Sequence, residues 1–272
     1  MLYILRVAFV ASLLLFLGGE SAGAVPSFQV EILPWEQVKE IIPNKSYFTI
    51  IDVETGLSFE VQRRAGSKHA DVQPVTEKDT KIMKEIYGGT WSWDRRAILV
   101  LVNDQLISAS MNGMPHGAGA LQNNFPGHFC VHFYGSTTHK TPTPDLAHKV
   151  MILKAGGELD RFLYRLDPYE LISVLELAIN QQDEELLSQI MTGNKRFIKK
   201  TLASVKHIKV TQRSLVPVED LPSLVAMKYQ FRVKWIRSNQ AQEEKNIQFY
   251  FRKNTLEDQW RIDGQTFASE IK

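Results

Sequence analysis

The sequence predicts an α+β protein of two domains, the first of them mostly β. Two pairs of β-rich runs in the first half flank short turns, which is the pattern of antiparallel hairpins. After residue 165, apolar residues recur at helical spacing and are followed by four β-rich runs. Between these regions, Thr-Pro-Thr-Pro at 141–144 and Gly-Gly at 156–157 interrupt regular structure. We therefore predict a first domain over 25–158 and a second over 159–272.

Residues 1–24 have the composition of a secretory signal. An apolar run follows Arg6, and Ala22-Gly23-Ala24 offers small residues for cleavage. The apolar run is short for a membrane span, which needs about 20 residues. We expect a secreted, extracytoplasmic protein that touches the membrane only if this segment stays uncleaved.

The first domain should contain two hairpins, each preceded by a helix. Gly56 can supply the positive φ of the first turn, and Asn103-Asp104 forms the second. Thr76 and Asp79 have the spacing of a helix N-terminal capping box. The predicted elements are a helix over 35–42, strands over 47–53 and 57–63, a helix beginning near 76, strands over 97–102 and 105–111, and a short helix over 147–153.

The second domain should contain helices followed by antiparallel strands. The predicted helices begin at Asp167-Pro168 and cover 184–191 and 195–202, and the predicted strands cover 205–213, 225–236, 246–252 and 259–262. This order resembles the nuclear-transport-factor-like cone, in which a curved sheet wraps helices. The likeness is topological and implies no function.

Composition excludes some classes of partner. The formal net charge is +2, and removing residues 1–24 takes away Arg6 and Glu20, so it stays +2. No dense basic stripe is present, and we expect no nucleic-acid partner. The single cysteine, Cys130, cannot form an internal disulfide, so its thiol is buried and inert, paired between chains, or reactive.

Three histidines lie close to Cys130 in the sequence. In an extended strand His128, Cys130 and His132 share one face, which we expect to be exposed, while the alternating Phe and Val residues face the core. A loop rich in Gly and Asn can bring His116 back over the polar face. An adjacent imidazole activates a thiol and can lower its pKa.

These residues resemble the signature of bacterial L,D-transpeptidases, in which a His-Gly pair precedes Ser-His-Gly-Cys-hydrophobic-Arg. His116-Gly117 and the run from Gly127 to His132 match it. The resemblance implies Cys130 as nucleophile, His116 as general base and His128 as the second histidine of the motif, with Gly117, Gly127 and His132 beside the substrate. Three positions depart from the pattern: Gly127 replaces the serine, Phe129 the glycine and His132 the arginine.

Other interpretations of these residues stay open. Free cysteine is often simply buried. A zinc site could form from His128, Cys130 and His132 with His116, His139, His69 or Asp71, but no second ligand motif is present, and we expect no metal and no cofactor. Arg95 and Arg96, which follow two tryptophans, could bind a substrate carboxylate or be ordinary solvated arginines.

The resemblance implies acyl transfer on peptidoglycan stem peptides through a thioester at Cys130. Transfer to an amine is L,D-transpeptidation, and transfer to water is L,D-carboxypeptidation. The alternative is a non-catalytic cell-wall-binding or envelope-assembly module on the same fold, which the substitutions Gly127 and Phe129 favour.

Overall fold

The structure is a computed structural model that describes residues 29–138, 143–213 and 221–271. The predicted signal over 1–24 and His139 lie outside these ranges. Within them, no helix is both long and apolar enough to cross a membrane.

The first region is a closed β-barrel with helices packed against it. In chain order its elements are β1 (Val30–Glu31), α1 (Trp35–Ile41), β2 (Tyr47–Asp52), β3 (Ser58–Ala65), β4 (Ala70–Pro74), α2 (Glu77–Ile86), β5 (Arg95–Val102), β6 (Gln105–Asn112), β7 (Phe129–His132) and α3 (Leu146–Ala155). The strands follow the order β1-β6-β5-β2-β3-β4-β7, and β7 also pairs with β6. That pairing closes six strands into a barrel, with β1 added in parallel to β6.

Local sequence signals explain the hairpins and the helix cap. The β5–β6 turn has positive φ at Asn103 (48°) and Asp104 (61°), which favours the right-handed strand twist. Thr76 and Asp79 exchange both hydrogen bonds of a capping box at the start of α2. Both predicted hairpins and this cap are confirmed.

The second region has helices on a four-stranded antiparallel sheet. It contains α4 (Leu159–Tyr164), α5 (Pro168–Asn180), α6 (Glu184–Ile190), α7 (Lys195–Ser204), β8 (Val205–Arg213), a 3₁₀ turn (Leu221–Ser223), β9 (Ala226–Arg237), β10 (Gln242–Arg252), β11 (Arg261–Ile262) and α8 (Gly264–Glu270). The strand order is β11-β10-β9-β8. The α+β class is therefore confirmed. The short elements β1, β4, α4 and α8 were not predicted.

Two hydrophobic cores occupy the two regions. One extends from Trp35 to Phe133 inside the barrel region, and the other is built mainly from residues after 150. Val150 and Met151 of α3, together with Ala97 of β5, belong to the second core. Helix α3 thus lies on β5 and β6 of the barrel while its apolar residues join the second core. The predicted domain boundary after residue 158 stays a prediction.

Candidate active site

The strand that carries Cys130 is central to the barrel closure. Strand β7 pairs with β4 on one side, where Asp71 lies opposite Cys130, and with β6 on the other, where Ser110 lies opposite His132. Continuing this antiparallel register from the pair Ser110–His132 by two residues on each strand places Asn112 opposite Cys130. Asp71, Cys130 and Asn112 therefore form one row across three strands.

The predicted alternation of faces is correct, but the predicted exposure is wrong. Phe129, Val131 and Phe133 lie in the barrel core. On the other face, Cys130 is 4% exposed and His132 is 2% exposed. The physical reason is that this face is covered: His148 from α3 stacks on the ring of His132, with ring centroids 3.7 Å apart.

His116 contacts the thiol with a fixed ring orientation. Its backbone exchanges two hydrogen bonds with His128, N to O distances of 2.9 and 2.8 Å. The ring Nδ1 lies 2.9 Å from the carbonyl of Met114, which can only accept, so Nδ1 carries the hydrogen. This leaves the Nε2 lone pair directed at Cys130 Sγ, 3.2 Å away. Trp93 packs on the His116 ring, with centroids 5.3 Å apart.

Gly117 and Gly127 permit the close crossing of the two segments. Gly127 has φ +120°, and a Cβ there would lie 2.4 Å from the carbonyl oxygen of His116. Gly117 has φ +61°, and a Cβ there would lie 2.3 Å from Cε1 of His128. A serine at 127 would collide with backbone, so the departure from the L,D-transpeptidase pattern at this position is required by the geometry of this chain.

Polar side chains fix the loop between these glycines. Gln73 Oε1 accepts from the backbone N–H groups of Ala120 and Leu121, at 2.9 and 3.3 Å. Asn123 donates to the carbonyl of Pro74 and accepts from the N–H of Phe125. The loop that presents His116 is therefore tied to β4, the same strand that carries Asp71.

Asp71 places a carboxylate among three site residues. Its Oδ1 lies 3.1 Å from His69 Nε2, 3.8 Å from Cys130 Sγ and 3.9 Å from His128 Nε2. His69 Nδ1 lies 2.8 Å from the carbonyl of Thr137, so it donates there. His128 donates from Nδ1 to the carbonyl of Ala118 at 3.0 Å.

The pKa of the Cys130 thiol is shifted in the direction opposite to the one expected from the sequence. Burial, followed by the carboxylate of Asp71, raises the pKa of Cys130 from an ordinary 9.0 to about 12, while a hydrogen bond from Asn112 acts in the opposite direction. We expected a lowered pKa, and that expectation is wrong. At neutral pH the resting thiol of Cys130 is therefore protonated and neutral.

Three buried imidazoles form a stack next to the thiol. The rings of His69 and His132 lie 4.4 Å apart at 24°, and His148 continues the stack. His132 Nδ1 lies 3.0 Å from Ser136 Oγ, and His148 Nδ1 lies 3.0 Å from Ser110 Oγ. Burial and then Arg95 hold the pKa of His148 well below its usual range. His132 thus lies inside the protein and has no open path to a substrate carboxylate.

The same stack limits metal binding. One ligand atom each from His69, Cys130 and His132 lies within 4.8 Å of the others. A metal ion binds imidazole nitrogen at about 2.0–2.1 Å, in the plane of the ring. The rings of His69 and His132 are stacked at 24°, so their planes run nearly parallel and do not meet close to the ring nitrogens. One ion therefore cannot lie in both ring planes at bonding distance from both imidazoles. The arrangement therefore does not fit a single tetrahedral ion.

Arg95 and Arg96 line a different part of the molecule. They border a cavity of about 1000 Å³ between the barrel and helices α6 and α7, and Cys130 is not among its lining residues. Arg96 forms a two-pronged pair with buried Asp52, at 2.7 and 2.8 Å. Arg95 pairs with Asp145 at 3.3 Å. A carboxylate ligand would have to displace these partners, and it would lie apart from the thiol.

The structure thus places Cys130, His116 and His128 close together, with Asp71 and Asn112 beside them. Asn112 was not singled out from the sequence, whereas Asp71 was named there as an alternative zinc ligand. The signal for Asn112 is the β6–β7 register, which a single sequence does not reveal.

No family model, curated protein or solved structure matches this chain.

Proposed function

We propose that this chain is an exported cysteine acyltransferase that acts on peptidoglycan stem peptides. The observation that carries the proposal is the contact of 3.2 Å between Cys130 Sγ and His116 Nε2, with the opposite ring nitrogen anchored on Met114. This is the arrangement of a nucleophile, a base and a third group that orients the base. The proposal includes an L,D-transpeptidase-like first domain and a nuclear-transport-factor-like second domain, a cell-wall location and no cofactor.

The reaction would proceed through a thioester. As Sγ attacks the carbonyl carbon before a terminal D-residue, the thiol proton passes to His116 Nε2. The peptide C–N bond then breaks, and His116 returns the proton to the leaving amine. An amine or water attacks the thioester in the second half, giving a cross-link or a free carboxylate. Because the pKa of Cys130 is about 12, proton transfer accompanies attack and does not precede it.

The test is acylation of the folded protein by a stem peptide ending in a D-residue, or by a carbapenem, followed by intact mass. We expect one adduct per chain on Cys130, absent in Cys130→Ser. His116→Ala should slow acylation by about 10² or more, the lower end of the range usual for general acid–base catalysis. His207→Ala is the matched control, because His207 is an exposed histidine on β8 and should have no effect.

A second candidate is the non-catalytic wall-binding module, which the buried, high-pKa thiol favours. If neither reagent acylates the folded protein, and Cys130 reacts with iodoacetamide only after denaturation, the enzyme proposal fails and this candidate replaces it.

A further inference from the structure

The sheet of the second region has one buried face and one open face. Every second residue along the middle of β9 and β10 is buried in the second core: Phe231, Val233 and Trp235 on β9, and Ile247, Phe249 and Phe251 on β10. Because successive side chains of a strand point to opposite faces, the residues between them lie on the other side of the sheet. These residues are exposed or half-buried, so that side is open to solvent.

The open side of β8, β9 and β10 is strongly basic, and we call it the basic face. It carries five cations, Lys209, Lys228, Arg232, Lys234 and Arg252, and one carboxylate, Glu244. Its net charge is +4, whereas the whole chain has +2, so the rest of the chain carries −2. In residue order the cations are separated by residues of the buried face. The basic stripe is therefore formed by the fold and is not visible as a run in the sequence.

Positive charge is in excess near the centre of the sheet. Lys209 and Lys234 lie directly opposite each other on neighbouring strands, and like charges at such positions destabilise a sheet. Glu244 lies opposite Lys234 on the other side and forms ion pairs with Lys234 at 3.2 Å and Arg232 at 2.8 Å. One carboxylate thus serves two cations, and within the described ranges Lys209 forms no ion pair. An anionic ligand would offset this repulsion.

The length of the basic face indicates the size of the ligand. Lys209 lies opposite Lys234, and Arg252 lies opposite Ala226. These two rows are eight residues apart on β9, which corresponds to about 27 Å in a strand. A small anion contacts one or two of the cations at a time, whereas an extended polymer with repeated negative charges can contact all of them.

The side chains between the cations indicate the kind of polymer. Gln230, Asn246 and Gln248 present amides that can bind phosphate oxygens and hydroxyl groups. Single-stranded nucleic acids are bound by stacking successive bases on several aromatic side chains, and Tyr250 is the sole aromatic on the described part of this face. That part also lacks the row of large exposed apolar side chains with which a protein inserts into a membrane surface.

We propose that the basic face binds an anionic cell-wall polymer whose polyol units are joined by phosphodiesters. Successive phosphates pair with the cations, and the hydroxyl groups between them bind the amides. The second region then holds the chain at the wall, while the barrel carries Cys130. The cell-wall source of the polymer rests on the proposed function, whereas the binding chemistry does not require acyl transfer.

The first test is binding of poly(glycerol phosphate) to the intact chain, measured by calorimetry between about 50 and 200 mM salt. Lys209→Gln/Lys228→Gln removes two cations of the face that form no ion pair within the described ranges. The matched control is Lys78→Gln/Lys81→Gln, which removes two exposed cations from α2 and changes the net charge equally. Thermal unfolding verifies that both variants are folded.

We expect the wild type to bind the polymer and the affinity to fall steeply with salt. In the basic-face variant the slope of log Kd against log salt should decrease by about 1.4, since each phosphate contact on a single strand contributes about 0.7. Its affinity at about 50 mM salt should be at least about five-fold weaker. The control should bind as the wild type does.

The second test identifies the class of polymer. Oligothymidylate is compared with an abasic strand of the same length, which keeps the phosphodiesters and has no bases, and with vesicles of phosphatidylglycerol. We expect equal binding of the two strands and weaker binding of the vesicles than of poly(glycerol phosphate). Oligothymidylate binding at least about ten-fold tighter than the abasic strand would indicate a nucleic-acid surface. A preference for vesicles would indicate a membrane surface.

The proposal fails if the wild type does not bind poly(glycerol phosphate) at about 50 mM salt, or if the control loses as much affinity as the basic-face variant. Its failure is distinct from that of the acyltransferase. Acylation of Cys130 without polymer binding would leave the proposed reaction standing, and polymer binding without acylation would leave this inference standing.

Discussion

Replacing Asp71 with asparagine should make Cys130 more reactive. The carboxylate lies 3.8 Å from Sγ and is the second largest cause, after burial, of the raised thiol pKa. Two unit charges at that distance interact by about 4 kcal/mol at an effective dielectric constant of about 20, equivalent to a factor of about 10³ in thiolate population. Because the effective dielectric constant varies with position, we count only part of this interaction and expect an increase of at least about ten-fold.

The assay is iodoacetamide incorporation into Cys130 of the folded protein across about pH 6 to 10, measured by mass spectrometry, with the apparent pKa taken from the profile. Asp104→Asn is the matched control, because it removes one negative charge from an exposed position on the β5–β6 turn. The reasoning is refuted if folded Asp71→Asn alkylates no faster than the wild type, or if Asp104→Asn accelerates alkylation equally.

Three further predictions concern stability. Gly127→Ser should lower the free energy of unfolding by at least about 2 kcal/mol in urea titrations, because its Cβ collides with the His116 carbonyl. An unchanged midpoint contradicts this. Gly135→Ser is the control for positive φ, because a Cβ at that position meets no atom within 4 Å. In the unfolded chain His148 binds a proton below about pH 6.5, whereas in the folded protein it stays neutral. Between about pH 7 and 5 the free energy of unfolding of the wild type should therefore fall by about 2 kcal/mol more than that of His148→Gln. Equal losses in the two proteins would contradict this prediction. The unfolded chain loses the Cys130 proton above its ordinary pKa of 9.0, whereas the folded protein keeps it until about pH 12, so the contribution of this thiol to stability declines as the pH rises through that window. Between about pH 9 and 10.5 the free energy of unfolding of the wild type should therefore fall by about 2 kcal/mol more than that of Cys130→Ser. Parallel stability curves for the two proteins would contradict the raised pKa.

The elements that the sequence predicted are those with local causes. The hairpin turns depend on Gly56 and on Asn103-Asp104, and the cap of α2 depends on Thr76 and Asp79, all within a few residues of the structure that they specify. Strand β4 has no such signal, since its five residues are buried without alternation and end in proline. It was missed for that reason.

The candidate site was predictable only in part. The alternation along β7 and the return of His116 follow from residue order between 116 and 132. The position of Asn112, the proximity of Asp71 and the covering of His132 by His148 depend on pairings between distant segments. The sign of the thiol pKa shift depends on those contacts, so the sequence could not provide it.

A neutral, enclosed thiol also responds slowly to oxidants. Sulfenic acid forms from the thiolate at accessible sulfur, and Cys130 is 4% exposed with a pKa of about 12. The sole cysteine of the chain can therefore persist in reduced form in an oxidising environment without a reductant to regenerate it. Burial and the Asp71 carboxylate, which raise the thiol pKa, should therefore also make this sulfur resistant to peroxide, whereas the contribution of Asn112 acts in the opposite direction.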